Sequence, residues 1–120
     1  MAEGMSVYTI PRVLDPFKQV TTTELCEYRK DTCENCKKNV WGNGGPEKNH
    51  CILPDRKRHK PYCDMAINLE LVCAYCHRME FVHTFQHRVE FKRKQESRYG
   101  AERVEGWLAQ VGTFDEIILA

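Results

Sequence analysis

Cysteine occurs in two close pairs, Cys33-Glu-Asn-Cys36 and Cys73-Ala-Tyr-Cys76. Two C-x-x-C pairs supply the four thiolates of a tetrahedral zinc site, each pair turning as a tight knuckle that aims both sulfurs at one ion. His77 follows the second pair directly, Asn68 precedes it, and His50 lies between the pairs. A structural zinc therefore frames a second set of polar, metal-capable residues, and any chemistry belongs to that second set.

Those residues need elements to position them. At 120 residues the chain reads as one domain. It is small for a purely hydrophobic core, so a structural metal adds needed stability. The formal net charge of +1 and a negative mean hydropathy describe a soluble protein, and the charge balance alone does not announce nucleic acid. No apolar run reaches membrane-spanning length. Met1 to Ile10 lacks the basic start and apolar stretch of a secretory signal, so a cytoplasmic setting is expected. Seven cysteines are an odd number, which disfavours a purely disulfide framework and favours metal ligation in a reducing compartment. Cys26 reads as a small buried residue. Cys51 and Cys63 lie between the pairs and could join His50 or His77 in a second tetrahedral zinc site, since soft thiolates select zinc over magnesium.

Along the chain, residues 1–20 read as an irregular arm with scattered apolar positions (Val7, Ile10, Val13, Leu14, Phe17, Val20) broken by Pro11 and Pro16. Residues 21–99 form the core and residues 100–120 a C-terminal helix and tail. Thr21-Thr-Thr-Glu24 fits a helix start that runs to about Lys30. Asn39-Val40-Trp41 looks like a strand, Gly42 to Pro46 like a turn, and Lys48 to Leu53 like the returning strand of a hairpin carrying His50 and Cys51. Ala74 to about Tyr99 has a helical pattern, with Phe81, Phe85, Val89 and Phe91 recurring at roughly helical spacing, most simply as core. Gly100 stops it. Ala101 to Val111 reads as a second amphipathic helix with Val104, Trp107, Leu108 and Val111 on one face, and the tail from Phe114 to Leu119 as a segment packing back on the body. Trp41 reads as core.

The order of knuckle, hairpin with His50, loop, Asn68, knuckle, His77 and helix resembles the treble-clef zinc fold carrying the ββα-metal motif of HNH endonucleases. The likeness runs from about Cys33 to Arg78 and is strongest over Asn68-Leu-Glu-Leu-Val-Cys-Ala-Tyr-Cys-His-Arg78. It implies an α+β fold, a zinc-stabilised hairpin–helix core with flanking N- and C-terminal helices. It implies metal-dependent hydrolysis of DNA phosphodiester bonds, which needs a base to activate water and a divalent ion to stabilise charge on the phosphate and leaving oxygen. Carried over, Cys33, Cys36, Cys73 and Cys76 hold structural Zn²⁺, Asn68 orients the hairpin, and His77 binds a catalytic Mg²⁺, Mn²⁺, Ni²⁺ or Zn²⁺. The family's second strand reads Asp-His or His-His, whereas here it reads Asn49-His50-Cys51. Aligned on Ile52, His50 is the metal ligand and Cys51 stands in the place of the base. Shifted by one residue, His50 is the base and Asn49 a weak ligand. His59 and His83 are the other histidines able to serve as base.

Arg56-Lys57-Arg58-His59-Lys60 is the densest positive cluster. Lying between His50 and Asn68, it is expected near the metal, where Arg56, Lys57, Arg58 and Lys60 would contact phosphate without reading sequence. Arg88, Lys92, Arg93, Lys94 and Arg98 give a weaker basic helix surface diluted by Glu90 and Glu96. The C-terminal helices are left to dock on the core, to form a homodimer or to contact DNA. The alternative to a nuclease is a catalytically inactive treble-clef module that keeps the zinc and uses the basic loop to hold nucleic acid or a protein partner.

Overall fold

The computed structural model describes residues 14–111, apart from the side chains at positions 80 and 81. Val7, Ile10 and Val13 of the N-terminal arm, the tail from Phe114 to Leu119 and the side chain of Phe81 lie outside the described residues. Helix α1 spans Thr22–Arg29. The expected capping box starts it: Thr21 Oγ1 accepts from the Glu24 amide at 3.1 Å and the Glu24 carboxylate accepts from the Thr21 amide at 3.0 Å, which satisfies donors the first turn would otherwise leave unpaired. Lys30 ends it in the left-handed region, with φ 55°.

A two-stranded antiparallel sheet follows, β1 (Pro46–His50) against β2 (Leu69–Cys73), with Glu47 opposite Val72, Asn49 opposite Glu70 and His50 opposite Leu69. This corrects the expected hairpin. Residues 39–41 do not form its first arm, because the Asn39 side chain accepts from the Trp41 amide at 2.8 Å and bends Val40–Gly42 into a 3-10 turn. The chain then passes through Gly44 and Gly45, both at positive φ. A Cβ on Gly44 would meet the Ala74 Cβ at 3.0 Å, so only glycine combines that conformation with that close approach. Trp41 is 64% exposed and not core, its indole N–H donating to Asp31. The partner of β1 arrives only after the long 51–68 connection.

β2 is buried at all five positions and leads directly into α2 (Ala74–His77). The helical pattern expected from Ala74 to Tyr99 is divided. A 3-10 turn covers Glu80–His83, and Thr84 then caps α3 (Phe85–Tyr99), its hydroxyl accepting from the His87 amide at 3.1 Å. A threonine in extended conformation with its side chain bonded two to three residues ahead starts a new helix and does not continue an old one. Phe85, in the first turn, is consequently exposed, while Val89 and Phe91 are buried. Gly100 ends α3 at φ 95°, and α4 covers Ala101–Val111. Its apolar face is the expected one: Val104, Trp107 and Leu108 are buried with Phe91, Ile52 and Leu53 in one cluster. A second cluster joins Leu14, Val20 and Leu25 to Leu69, Leu71 and the cysteines of the two knuckles, with Cys26 buried among them.

A buried ionic network docks α3 on this frame. The Glu34 carboxylate accepts from the Leu71 amide at 2.6 Å and pairs with Arg98 at 2.6 Å, Lys94 at 3.1 Å and Arg29 at 3.4 Å. Glu70 pairs with Lys94 and with His87, each at 2.7 Å. The expected basic surface on α3 is therefore largely absent. Lys94 and Arg98 turn inward to these carboxylates, Lys92 is buried beside Glu96, and Arg88 donates to the carbonyls of Cys51 and Ile52. Burial alone would push the Glu70 carboxyl up, but His87 and Lys94 bring it down to about 2. A carboxyl depressed in the folded state adds stability above its unfolded value near 4.5, and that contribution disappears as pH falls through the folded value. Glu70→Gln should accordingly lower stability by roughly 3 kcal/mol at neutral pH. The gap from wild type, measured by urea unfolding at each pH, should close between about pH 4.5 and 2.

Candidate metal centre and the segment it frames

Cys33, Cys36, Cys73 and Cys76 converge, with all four sulfurs within 4.8 Å of one another, and can hold a metal ion. Cys73 closes β2 and caps α2, so one residue ties the strand, the helix and the site together. The first knuckle is tied to β2 through its backbone, the Glu34 amide donating to the Leu71 carbonyl at 2.8 Å. The amides of Cys36 and Cys76 each point at the sulfur three residues earlier, at 3.4 Å, and the Asn35 side chain donates to Cys76 Sγ at 3.3 Å across the two knuckles. The sulfurs of Cys36 and Cys73, one from each knuckle, are 4.0 Å apart. That is about twice a disulfide bond and suits two ligands of one ion.

The electrostatics fit that use. Burial opposes ionisation of Cys33, but amide donors from Cys36, Cys73 and Asn35 bring its thiol down to about 7. Burial moves two of the other thiols the opposite way, Cys36 upward and Cys76 up to about 12. Four thiols this close cannot all ionise unless a cation sits among them, and a coordinated thiol is deprotonated outright.

Beside this frame, Asn68 is fully buried. Its side-chain oxygen accepts from the amides of Ile52 and Leu53, at 3.0 and 2.8 Å. Its nitrogen donates to the carbonyls of Leu53 and Cys63, at 3.0 and 2.8 Å. Every donor and acceptor of the amide is used. The side chain acts as a short strand substitute that continues the pairing of β1 beyond His50 and fixes the chain behind it.

Alternation along β1 sends its side chains to opposite faces. Asn49 and Cys51 face α3. The Asn49 amide is within 3.3 Å of Glu70, Cys51 Sγ and the Val82 carbonyl, and the Cys51 thiol lies 3.6 Å from Glu70. Burial first, then the Glu70 charge, pushes that thiol well up. His50 faces the other way, its Nε2 2.9 Å from Asp64. His77 Nδ1 lies 2.6 Å from Glu47. A carboxylate can only accept, so each ring donates through that nitrogen, and in a neutral ring the lone pair sits on Nδ1 of His50 and Nε2 of His77. Among the described residues His50 and His77 do not belong to one ligand cluster. Instead Cys51 groups with Glu70 and His87, and His50 with Asp55, Cys63 and Asp64. A cleft of about 340 Å³ is lined by Asn49, His50, Cys51, Arg88 and also His83, whose Nε2 donates to the His77 carbonyl at 3.0 Å and whose ring centre is 5.5 Å from that of His77.

Of the basic loop, Arg56, Lys57 and Arg58 are exposed. Lys60 is turned back between Asp55, at 2.9 Å, and Asp64. His59 ends a 3-10 turn and joins no ligand cluster among the described residues. Glu47, Asp64 and Glu70, the carboxylates that hold the histidines, are missing from the motif reading because they become partners only through the register of β1 on β2 and the fold of residues 55–64.

The chain matches no protein-family model, no curated protein and no solved structure. Among the described residues no helix is long and apolar enough to cross a membrane.

Replacing Asn68 with alanine strands four backbone groups in the interior and should cost roughly 3 kcal/mol. Hydrogen exchange should locate the loss, with the Ile52 and Leu53 amides exchanging far faster and those inside β2 nearly unchanged.

Proposed function

We propose that this chain is a small HNH-type DNA endonuclease built on a treble clef, with zinc as the ion held by its four cysteines. The observation that carries the reading is the Asn68 clamp. It fixes the end of the strand bearing His50 beside a four-cysteine frame whose second knuckle leads into His77. Zinc fits the donor set. A tetrahedral ion about 2.3 Å from each thiolate sets its sulfurs about 3.8 Å apart, close to the 4.0 Å between Cys36 and Cys73.

In this reading His50 is base or metal ligand, His77 a metal ligand and Asn68 the orienting residue. The two histidines are each oriented by a carboxylate, the arrangement that sets tautomer and direction for ligating or base histidines. Arg56, Lys57 and Arg58 place positive charge on the loop that follows His50, where phosphate oxygens can be held. A divalent cation bound here would supply charge stabilisation at the scissile phosphate.

A second reading, a non-catalytic treble-clef module that holds nucleic acid or a protein partner, draws on a specific observation. His50 and His77 are hydrogen-bonded to separate carboxylates, and Cys51, at the base position of one alignment, is a buried thiol held against Glu70. The two readings separate on plasmid DNA with Mg²⁺, Mn²⁺, Ni²⁺ or Zn²⁺ supplied in turn. The nuclease nicks or linearises it, and His50→Ala and His77→Ala each abolish cleavage while circular dichroism stays native. Binding without cleavage under every metal leaves the module and removes the nuclease.

A further inference from the structure

Three groupings of metal-ligating side chains occur among the described residues. The four cysteines are the frame. Cys51, Glu70 and His87 form the second, and there Lys94 is wedged between Glu70 and Glu34, with a side chain only 27% exposed. That buried ammonium cannot leave without breaking the docking of α3, so the grouping is already complete as an ionic network.

The third is different in kind. A ring nitrogen of His50, a carboxylate oxygen each from Asp55 and Asp64, and Cys63 Sγ all lie within 4.8 Å of one another. His50 Nε2 and the Asp64 oxygen are 2.9 Å apart across a hydrogen bond, and an ion with bonds of about 2.1 Å in tetrahedral geometry would open that separation to about 3.4 Å. Cys63 is fully buried, and its sulfur makes no hydrogen bond among the described residues. It packs in the apolar cluster with Ile52, Leu53 and Ile67, while its sulfur stays within ligand reach of the nitrogen and oxygen donors. The cation now in place is the Lys60 ammonium, bridging Asp55 and Asp64. Unlike Lys94, its side chain is 47% exposed and can swing into water at little cost. Lys48, the other cation on Asp64, also bonds the Val20 carbonyl and stays where it is.

We infer that His50, Asp55, Cys63 and Asp64 form a second divalent-cation site, with the Lys60 ammonium as the internal cation that the ion displaces. One imidazole, one thiolate and two carboxylates favour Zn²⁺ or Co²⁺ over Mg²⁺. Binding deprotonates the Cys63 thiol, moves the His50 ring proton from Nε2 to Nδ1, and releases one proton to solvent. It also staples the two ends of residues 55–64 and frees Lys60 to stand with Arg56, Lys57 and Arg58, so the ion and a phosphate backbone would bind cooperatively. The site uses His50 in one of the two roles the nuclease reading leaves to it, but it stands on metal binding alone.

The test is a Zn²⁺ titration of folded protein already carrying its four-cysteine metal, followed by calorimetry and by elemental analysis after gel filtration. Wild type should reach two ions per chain. Asp55→Asn, at an exposed position, should weaken the second ion at least about tenfold. Lys60→Gln should tighten it by removing the competing cation. One ion per chain at saturating Zn²⁺ in both wild type and Lys60→Gln overturns the inference, as does a second ion indifferent to Asp55→Asn. Plasmid cleavage is scored separately. A second ion without cleavage sustains this site and sinks the nuclease, while cleavage by a protein that takes up one ion does the reverse.

Discussion

Four thiols drawn from two distant stretches of chain meet in a space that cannot hold four negative charges. Amide donors ease ionisation at Cys33, but each further thiolate has to form beside those already present, and burial pushes Cys36 and Cys76 up instead of down. A cation at the centre removes the conflict, because the same proximity that opposes ionisation then supplies the ligand sphere. The remaining architecture hangs on that point. The first knuckle is bonded to β2 at Leu71, the last residue of β2 is one of the four cysteines, and α2 begins on it. Without an ion, the sheet would rest on two strands of five residues, a unit that is marginal in isolation.

The same junction carries order outward. Glu34 follows the first ligand, and Glu70 lies in the middle of the buried strand. Both are carboxylates taken out of water, tolerable only because Lys94, Arg98, Arg29 and His87 are brought to them. Buried pairs of this kind add little over apolar packing, but they penalise any arrangement that separates the partners. Here they fix where α3 lies and thereby the wall against which Asn49 and Cys51 pack. On the opposite face of β1, His50 meets a different carboxylate in a wetter setting. Burial disfavours the Asp64 charge, yet Lys60, His50 and Lys48 hold its carboxyl below the usual range. One strand thus separates a dry structural side from a partly exposed side able to do chemistry.

Local signals in the sequence were sufficient for the cysteine frame, the capping box at Thr21, the stop at Gly100 and the apolar face of α4. Each is decided by residues within a turn or two of one another. The hairpin was misread because Asn39 bonds locally to Trp41 and turns the chain, a side-chain competition that strand-like composition does not reveal. The break at Thr84 was legible in principle, since a threonine capping the fourth turn of a long helical pattern marks a start, but the apolar spacing on either side hid it. Asn68 and His50 were found as motif residues. The carboxylates beside the histidines were not, because Asp64 reaches His50 through the path of the 51–68 connection and Glu47 reaches His77 through the pairing of β1 on β2, which no short spacing encodes. The basic residues of α3 misled for a related reason: whether Lys94 and Arg98 face water or a buried carboxylate depends on where the first knuckle packs.

The central claim, that an ion bound by Cys33, Cys36, Cys73 and Cys76 organises both the frame and the site beside it, is tested most directly by amide hydrogen exchange before and after the metal is stripped with a strong chelator. Loss of the ion should remove protection from Leu71, from the Cys36 and Cys76 turns and from the Ile52–Leu53 segment held by Asn68, and readdition of Zn²⁺ should restore it. Unchanged protection at Leu71, Ile52 and Leu53 in a metal-free protein would contradict the account.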